Sequence, residues 1–523
     1  MTVRKQITAQ RRAKQAAKRH SAERKKPEKN TTVAKSLADT ANLTARPDAS
    51  QSSSEKPRGK KFAISHPSSP QEAKTASWGP RSRKNKNAAR VGHPQGLQFS
   101  AEPQLVEIEK PIYGGAFLAR LEGKAVFVPL VLPGEQARVR ITQSKPGYAS
   151  AEAEAIIRAA PERITPVCLH FGVCGGCHYQ HAEYAKQLGF KQVILRETLE
   201  RSSVAVPAEI AVLAGEPWHY RNRIRLALDA KGKLGYRGRN SHAVVPISEC
   251  PIAAPLLVES ALASAQVLRE FVPKWRPTEI SFFCDAAETA LLATVFTDKL
   301  PKIRFEELAQ AFHERVPALV GAELVVEGRS GQLSQTVAQW GASSISYRAA
   351  GFDYRVDHGA FFQVNRWLVD GLVENVTAGH SGKLAWDLFA GVGLFARRLT
   401  ANFARVVAVE SAPAATQSLA ANLKGTTGES VKAETLAFLQ RRAGEKPDLI
   451  VVDPPRTGLG AESCALLASI NTPALVCVSC DPATLARDLR ALLASGYAIQ
   501  SITLADLFPQ TFHLETVVQL RRA

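Results

Sequence analysis

Apolar and polar residues follow different repeats in different parts of the chain. The first regular repeat lies between residues 104 and 143. Apolar and polar positions alternate there, as in residues 106–108 and 138–141, between Gly and Pro-Gly turns. A period of two is typical of β-strands, so this part predicts a small β-barrel of about 60 residues. Such barrels often bind oligonucleotides, but a purely structural module would give the same pattern.

From about residue 383 the pattern becomes one of repeated strand and helix segments. Apolar runs precede helix-like stretches four times, in LAWDLF, RVVAVE, DLIVV and ALVCVS. Strands alternating with helices predict a parallel, doubly wound α/β sheet. Ligands of such sheets bind at the carboxyl ends of the strands, where the candidate motifs of this region lie.

The middle of the chain predicts a helix from Ala182 to about Arg201 and a hairpin within residues 218–252. Arg221, Arg223 and Arg225 alternate along one strand of that hairpin and would suit contact with RNA phosphates. A solvated sheet face is the alternative. Residues 253–350 predict mixed helices and strands without recognisable chemistry.

Positive charge is concentrated at the start of the 523-residue chain, whose net charge is +19. Residues 1–96 contain 23 Lys and Arg but only 6 Asp and Glu, together with few large apolar residues. We therefore expect a disordered basic tail, with a transit peptide as the alternative. No apolar run reaches about 18 residues and no apolar stretch follows the basic start, so we expect neither a membrane span nor a secretory signal.

Three of the eight cysteines lie within ten residues, as Cys168, Cys174 and Cys177, and Cys250 follows 73 positions later. Eight cysteines are too few for a disulfide scaffold in a chain of this length. Four thiols from two loops can ligate one metal centre, and both zinc and an iron–sulfur cluster accept four thiolates. A reducing compartment, the cytoplasm, is therefore expected.

A glycine loop with the sequence DLFAGVG follows the first strand of the α/β region, and Glu410 lies 19 positions after Gly391. Glycines allow the backbone to approach a nucleoside, and an acidic residue at about this distance can bind ribose hydroxyls. The loop lacks the third glycine of the dinucleotide fingerprint. S-adenosylmethionine (SAM) therefore suits it better than NAD.

Three further motifs follow strands of the same region. Asp453 begins an Asp-Pro-Pro turn that several nucleic-acid methyltransferases share, but Arg456 stands where amino-group methylating enzymes usually have an aromatic residue. Cys480 precedes a helix whose dipole would favour a thiolate, which predicts a nucleophile. Glu515, close to that cysteine in the predicted sheet, is the candidate general base.

Together these motifs resemble the RNA uracil-5-methyltransferase family over residues 104 to 520. The resemblance rests on the barrel, CGGC, ISECPI, FFQVN, DLFAGVG, DPPRTG, VSCDPATLARD and DLFPQTFHLETV. It implies a Rossmann-like SAM-dependent methyltransferase domain, a TRAM-like barrel with an OB-like fold, and a central iron–sulfur α+β domain. The corresponding boundaries are 1–97 for the tail, 98–160 for the barrel, 161–350 for the central domain and 351–523 for the methyltransferase domain.

The resemblance also implies roles for individual residues. Cys480 matches the family nucleophile and Glu515 the base. The four cysteines match the ligands of a [4Fe-4S] cluster, which favours iron over zinc. The SAM-site positions that match are Gln363, Phe389, Gly391, Glu410, Glu434 and Asp453.

The mechanism expected from these roles forms 5-methyluridine. The Cys480 thiolate adds to carbon 6 of uracil, carbon 5 accepts the SAM methyl group, and Glu515 removes the carbon 5 proton. Family members with both barrel and cluster mostly act on large-subunit ribosomal RNA, so we expect 23S ribosomal RNA as the substrate of a monomer. The alternatives are the T-loop uridine of tRNA, methylation of exocyclic amino groups, and a non-catalytic iron–sulfur RNA-binding protein.

Overall fold

The protein is described by a computed structural model over residues 102–271, 275, 277–328 and 334–523. The predicted disordered tail, residues 1–97, lies outside the described residues. No helix within the described ranges is long and apolar enough to cross a membrane.

The first five strands form a closed barrel in the order β1-β2-β3-β5-β4. Neighbouring strands are antiparallel except β3 and β5, which are parallel. Inward-facing residues such as Val106, Ile108 and Phe117 are almost completely buried, as the alternating sequence pattern predicts. The predicted barrel is thus confirmed, with strands β1 (Gln104–Pro111), β2 (Ala116–Leu121), β3 (Lys124–Pro129), β4 (Gln136–Ser144) and β5 (Tyr148–Arg158).

Helix α1 (Tyr184–Arg201) and the short strand β6 (Ala211–Leu213) follow the barrel. Helix α1 lies where the sequence predicts a helix.

A seven-stranded sheet occupies the middle of the chain, in the order β13-β12-β11-β10-β7-β8-β9. Strands β11 and β12 are parallel, and the other neighbours are antiparallel. The predicted hairpin is its β7–β8 pair. Apolar residues of the two helices α2 and α3 join the sheet in one core. The elements are β7 (Arg223–Leu228), β8 (Leu234–Arg237), β9 (Val244–Pro246), α2 (Pro255–Phe271), β10 (Glu279–Cys284), β11 (Leu291–Thr297), α3 (Phe305–Arg315), β12 (Leu319–Val326) and β13 (Gln335–Gly341).

A two-stranded hairpin and one helix lead into the last sheet. They are β14 (Ser344–Ala349), β15 (Phe352–Asp357) and α4 (Val369–Thr377).

The last sheet has eight strands in the order β18-β17-β16-β19-β20-β22-β21-β6. Its first five strands are parallel, β22 is antiparallel to both β20 and β21, and β6 is parallel to β21. The elements are β16 (Gly382–Leu388), α5 (Leu394–Leu399), β17 (Phe403–Glu410), α6 (Pro413–Leu423), β18 (Gly428–Lys432), α7 (Thr435–Arg442), β19 (Leu449–Val452), α8 (Gly460–Ile470), β20 (Ala474–Ser479), α9 (Pro482–Ala494), β21 (Tyr497–Ala505) and β22 (Glu515–Arg522).

The parallel strands are buried on both faces, which explains their continuous apolar sequences. Trp386 and Val407 join the core on one side of the sheet, whereas Ala385 and Val406 join the core on the other. The four apolar runs recognised in the sequence are β16, β17, β19 and β20.

The eight-stranded sheet also recruits residues from before the seven-stranded sheet. Strand β6 forms its outer edge, and Ile194, Leu195 and Leu199 of α1 pack into one of its cores. Both elements fall within residues 161–350, the range predicted for the central domain. They nevertheless pack with the eight-stranded sheet of the last domain. The sequence of a short strand or an amphipathic helix does not indicate which sheet it packs against.

Candidate active site

The sheet brings the candidate residues to one edge. The parallel strands β16 to β20 all end there, so Phe389, Glu410, Asp453 and Cys480 lie at or just after consecutive strand ends. Strand β22 runs in the opposite direction and pairs Thr516 with Ser479 at the end of β20. Its first residue, Glu515, therefore starts at the same edge, called the carboxyl edge below.

The glycine loop is held in an unusual backbone conformation at this edge. Phe389, Gly391 and Gly393 have φ values of 64°, 56° and 89°, in the left-handed region that glycine tolerates best. The Glu410 carboxylate accepts hydrogen bonds from the backbone N–H of Gly391 at 2.9 Å and of Ser411 at 2.7 Å. The acidic residue and the loop are thus joined by hydrogen bonds, and the binding of ribose hydroxyls by Glu410 stays a prediction.

Asp387 is a buried carboxyl group beside the loop to which the sequence analysis gave no role. Its Oδ2 accepts a hydrogen bond from the Ala396 N–H at 2.8 Å, whereas its Oδ1 has no hydrogen-bond partner among the described residues. Burial raises its pKa to about 8, with a contribution from Asp453. Because buried polar atoms are normally satisfied, the free oxygen is available for a polar group of a bound cofactor.

Gln363 and Glu434 make no direct hydrogen bond to this loop among the described residues. Gln363 is buried, and its backbone carbonyl accepts a hydrogen bond from the Asn222 side chain at 2.9 Å. Its neighbour Phe362 packs in the same core as Ala390 of the glycine loop. Glu434 is exposed at the start of α7, next to Ala433, whose N–H binds the Glu410 carbonyl.

Cys480 lies at the end of β20, directly before α9. The pKa of the Cys480 thiol is raised to about 12, mainly by burial and also by Glu515 and Asp453, against an opposing effect of Arg456. The thiol is therefore protonated at neutral pH in this state, and the activation of Cys480 as a nucleophile stays a prediction.

Glu515 and Asp453 form a pair of interacting buried carboxyl groups. Burial and the neighbouring Asp453 raise the pKa of Glu515 well above its usual range, against an opposing effect of Arg456. Burial raises the pKa of Asp453 to about 7. Two such groups do not both ionise easily, so the pair is able to hold and release a proton near neutral pH.

The loop between β21 and β22, residues 506–514, positions Glu515 and is anchored by buried polar contacts. Lys191 of α1 binds Asp506 at 2.5 Å and the Phe508 carbonyl at 3.0 Å, and both charged side chains are completely buried. The Gln187 side chain pairs with Gln510, accepting from its N–H at 3.0 Å and donating to its side-chain oxygen at 2.9 Å. Sequence reasoning missed these anchors, because a lysine in an amphipathic helix normally indicates a solvated face.

Arg456 and His513 stand beside the carboxyl pair. The Arg456 guanidinium lies 3.2 Å from Nδ1 of His513. Burial lowers the pKa of His513 well below its usual range, with Arg456 adding to the effect, so the ring is neutral at physiological pH. Arg456 is thus the cation whose charge acts on both the candidate nucleophile Cys480 and the candidate base Glu515.

The four predicted metal ligands are free thiols that interact with one another. Burial is the main cause that raises the pKa of the Cys168, Cys174 and Cys177 thiols, the last two to about 11 and 12, and Cys250 adds to the rise of all three. Arg221 is close enough to lower the pKa of Cys177. Within the part of the chain that the structure describes, no group of three or more His, Cys, Asp or Glu residues is arranged to hold a metal ion. The thiols supply the donor set for a cluster, and the cluster itself stays a prediction.

The arginines at positions 221, 223 and 225 also make contacts within the protein. Arg225 forms ion pairs with Glu279 and with Glu327, the latter at 2.9 Å. The Arg223 guanidinium lies 4.3 Å from the centre of the Phe283 ring. Arg225 is exposed and ion-paired at the surface, and its contact with RNA phosphates stays a prediction.

Comparison with known proteins places this geometry in context. Residues 445–523 match the family model for tRNA (Uracil-5-)-methyltransferase, and residues 101–153 match that of the TRAM domain. A Thermotoga maritima protein described as an uncharacterized RNA methyltransferase is 30% identical over 434 residues, covering 79% of this chain and 98% of its own length. The 23S rRNA (uracil(1939)-C(5))-methyltransferase RlmD of Shewanella frigidimarina is 34% identical over 428 residues, covering 77% of this chain and 92% of its own length.

Among solved structures, the Pyrococcus abyssi tRNA (uracil-54, C5)-methyltransferase in complex with S-adenosyl-L-homocysteine is similar to the chain with a TM-score of 0.64 and 24% identity. The similarity covers 79% of this chain and 99% of that protein. At this identity the likeness establishes a shared fold.

Proposed function

The chain belongs to the RNA uracil-5-methyltransferase family, and from this premise we propose that it transfers the methyl group of SAM to carbon 5 of a uridine in 23S ribosomal RNA. The observation that carries the proposal is the meeting of Cys480, Glu515 and Asp453 at the carboxyl edge, beside the glycine loop. Relatives named as 23S rRNA methyltransferases, aligned with more than three quarters of the chain, support the choice of RNA.

SAM, when bound, supplies an electrophilic methyl group. In our proposal Phe389 and Gly391 line the cradle for its nucleoside, and Glu410 accepts from the ribose hydroxyls. The unpartnered Oδ1 of Asp387 suits a donor on the cofactor, such as its amino group. Gln363, Glu434 and Asp453 complete the proposed cofactor site.

The base chemistry begins with Cys480. Its sulfur forms a bond to carbon 6 of a flipped uracil, and the electrons of the carbon 5–carbon 6 double bond move toward carbon 5 and the carbonyl oxygen. The thiol proton must leave at this step, because the thiol is protonated in the resting site. The acceptor in our proposal is the buried Glu515–Asp453 pair, whose carboxylates are the ones that act most strongly on the Cys480 thiol.

The second half of the reaction restores the base. Carbon 5 takes the methyl group and S-adenosylhomocysteine is left behind. With the thiol proton held by Asp453, ionised Glu515 takes the proton from carbon 5, the double bond re-forms and the Cys480 sulfur leaves as a thiolate, which regains its proton from Asp453. Its raised pKa makes the ionised Glu515 a stronger base than an ordinary carboxylate. Extruding the uridine from its stack costs a few kcal/mol, which contacts with the rest of the RNA offset.

We propose further that Cys168, Cys174, Cys177 and Cys250 hold a [4Fe-4S] cluster. The support is four free, interacting thiols with the Arg221 cation close to them, which would balance the negative charge of the cluster. The methyl transfer requires no electron. The role of the cluster would therefore be structural, ordering the loops of the central domain. Iron and acid-labile sulfide analysis of anaerobically purified protein tests this, and stoichiometric zinc would refute it.

The proposed function is tested by methyl transfer from labelled SAM to unmodified 23S ribosomal RNA and to unmodified tRNA in parallel, with nucleoside analysis of both products. We expect 5-methyluridine in the ribosomal RNA. The same product in tRNA alone would keep the chemistry and change the substrate. Methylated amino groups, or RNA binding without methyl transfer, would refute the proposal.

A further inference from the structure

The turn between β1 and β2 of the barrel, residues 112–115, reaches the carboxyl edge of the eight-stranded sheet. The hydroxyl of Tyr113 donates a hydrogen bond to the backbone carbonyl of Cys480 at 3.4 Å. The Tyr113 ring packs edge-on against Phe512, with ring centres 5.5 Å apart. A residue of the barrel therefore touches both the candidate nucleophile and the loop that carries the candidate base.

Two further contacts fix the position of the β1–β2 turn. Gly115 has a φ of 86°, and a Cβ atom built on it would lie only 2.7 Å from Cδ2 of His178. A side chain at this position would thus push the turn away from His178, which follows Cys177. Beside the turn, Lys110 of β1 forms an ion pair at 2.8 Å with Glu197 of α1.

The contacted carbonyl belongs to the peptide that sets the direction of the nucleophile. Before it, Ser479 is fixed by pairing with Thr516. After it, the Asp481 side chain caps α9 by accepting from the N–H groups of Ala483 and Thr484, each at 3.0 Å. Cys480 is the single residue between these two anchors, and rotation of its peptide would swing the sulfur.

We infer that Tyr113 is a positioning residue, which holds the Cys480 peptide so that the sulfur faces carbon 6 of the bound uracil. This inference rests on the proposed function. It assigns to the barrel a part in the chemical step, in addition to any part in binding RNA. Near-attack geometry depends on displacements of well under about 1 Å, so one hydrogen bond at this peptide affects the rate.

The Tyr113 hydroxyl stays a donor at physiological pH. Burial raises the pKa of Tyr113 above its usual range, Asp481 and Cys480 add to the rise, and Arg456 opposes it. The phenol is therefore neutral and keeps its proton, which faces the Cys480 carbonyl and the Asp481 carboxylate that follows it.

The test compares wild type with Tyr113→Phe, which removes the hydroxyl and keeps the ring against Phe512. The probe is a 23S ribosomal RNA transcript containing 5-fluorouridine, because fluorine at carbon 5 does not leave as a proton and the covalent protein–RNA product accumulates. We expect the rate constant of its formation to fall about three- to tenfold, as for loss of one hydrogen bond. The RNA dissociation constant should stay within about twofold, which separates positioning from binding.

Tyr148→Phe is the matched control, since Tyr148 lies on strand β5 of the same barrel and packs against Phe127 at 5.3 Å. It should react like wild type. A Tyr113→Phe protein that reacts as fast as wild type, or that only binds RNA more weakly, refutes the inference while the proposed function stands. A wild type that methylates no RNA refutes both.

Discussion

Replacing Lys191 by methionine should strongly destabilise the protein, although the substitution preserves most of the side-chain volume. Lys191 and Asp506 are both completely buried, and their atoms lie 2.5 Å apart. Burial lowers the pKa of Lys191 while Asp506 opposes that effect, so each charge depends on the other. Methionine would leave Asp506 with Tyr184, whose hydroxyl donates to it at 2.9 Å, and without a counter-charge.

The expected cost follows from the burial of the pair. Removing one member of a buried ion pair typically costs about 3–5 kcal/mol. Total stabilities are typically about 5–15 kcal/mol, so Lys191→Met should lower the midpoint of guanidinium unfolding clearly. Because Lys191 also binds the Phe508 carbonyl, the loop before Glu515 should loosen and turnover should fall as well.

The controls separate burial from charge. Lys186→Met, on the same helix, removes the ion pair with Glu162, which is half exposed and should change stability little. The double variant Lys191→Met with Asp506→Asn should recover part of the loss, because no charge then remains buried without a partner. A loss below about 1 kcal/mol for Lys191→Met, or a double variant worse than the two single losses combined, would refute this reasoning.

The other predictions concern the reaction and the tail. Cys480→Ala should abolish methyl transfer while SAM binding, measured by calorimetry, is retained; turnover near the wild-type rate would exclude Cys480 as nucleophile. Glu515→Gln should slow release by about 10²–10⁴-fold and leave a protein–RNA adduct on a denaturing gel, which Cys480→Ala combined with it should remove. The single-turnover rate should rise as pH increases through about 7, the pKa of Asp453, because the carboxyl pair must lose a proton to accept another; a flat profile between pH 6 and 8 would contradict this. Deleting residues 1–90 should weaken RNA binding mainly at low salt and reduce the salt dependence of the affinity, whereas an unchanged slope would make the tail irrelevant to this RNA.

The parts of the fold that sequence could predict are those with a strong local signal. Four apolar runs identify β16, β17, β19 and β20, and alternation identifies the barrel. Strand β18, with the sequence GESVK, was not recognised because it is short and polar. Strand β6 was also not recognised, because it has only three residues and pairs with β21, near the other end of the chain.

The candidate site shows the same division. Motifs at strand ends predict that Asp453 and Cys480 meet, since parallel strands share an edge. The charge states of these residues could not be predicted, because the pKa of Cys480 depends on burial and on neighbours from other elements. Lys191 and Tyr113 were missed for a related reason: their contacts join parts of the chain 315 and 367 residues apart.

The recruitment of α1 and β6 by the last sheet has a consequence for synthesis of the protein. Lys191 leaves the ribosome 315 residues ahead of Asp506, its partner. At a synthesis rate of about 5–20 residues per second, the apolar face of α1 stays uncovered for about 15–60 s before Asp506 is made. The nascent chain therefore passes through a long interval in which a helix of the final core is open to chaperones, and a fragment comprising residues 351–523 alone would lack both that helix and an edge strand.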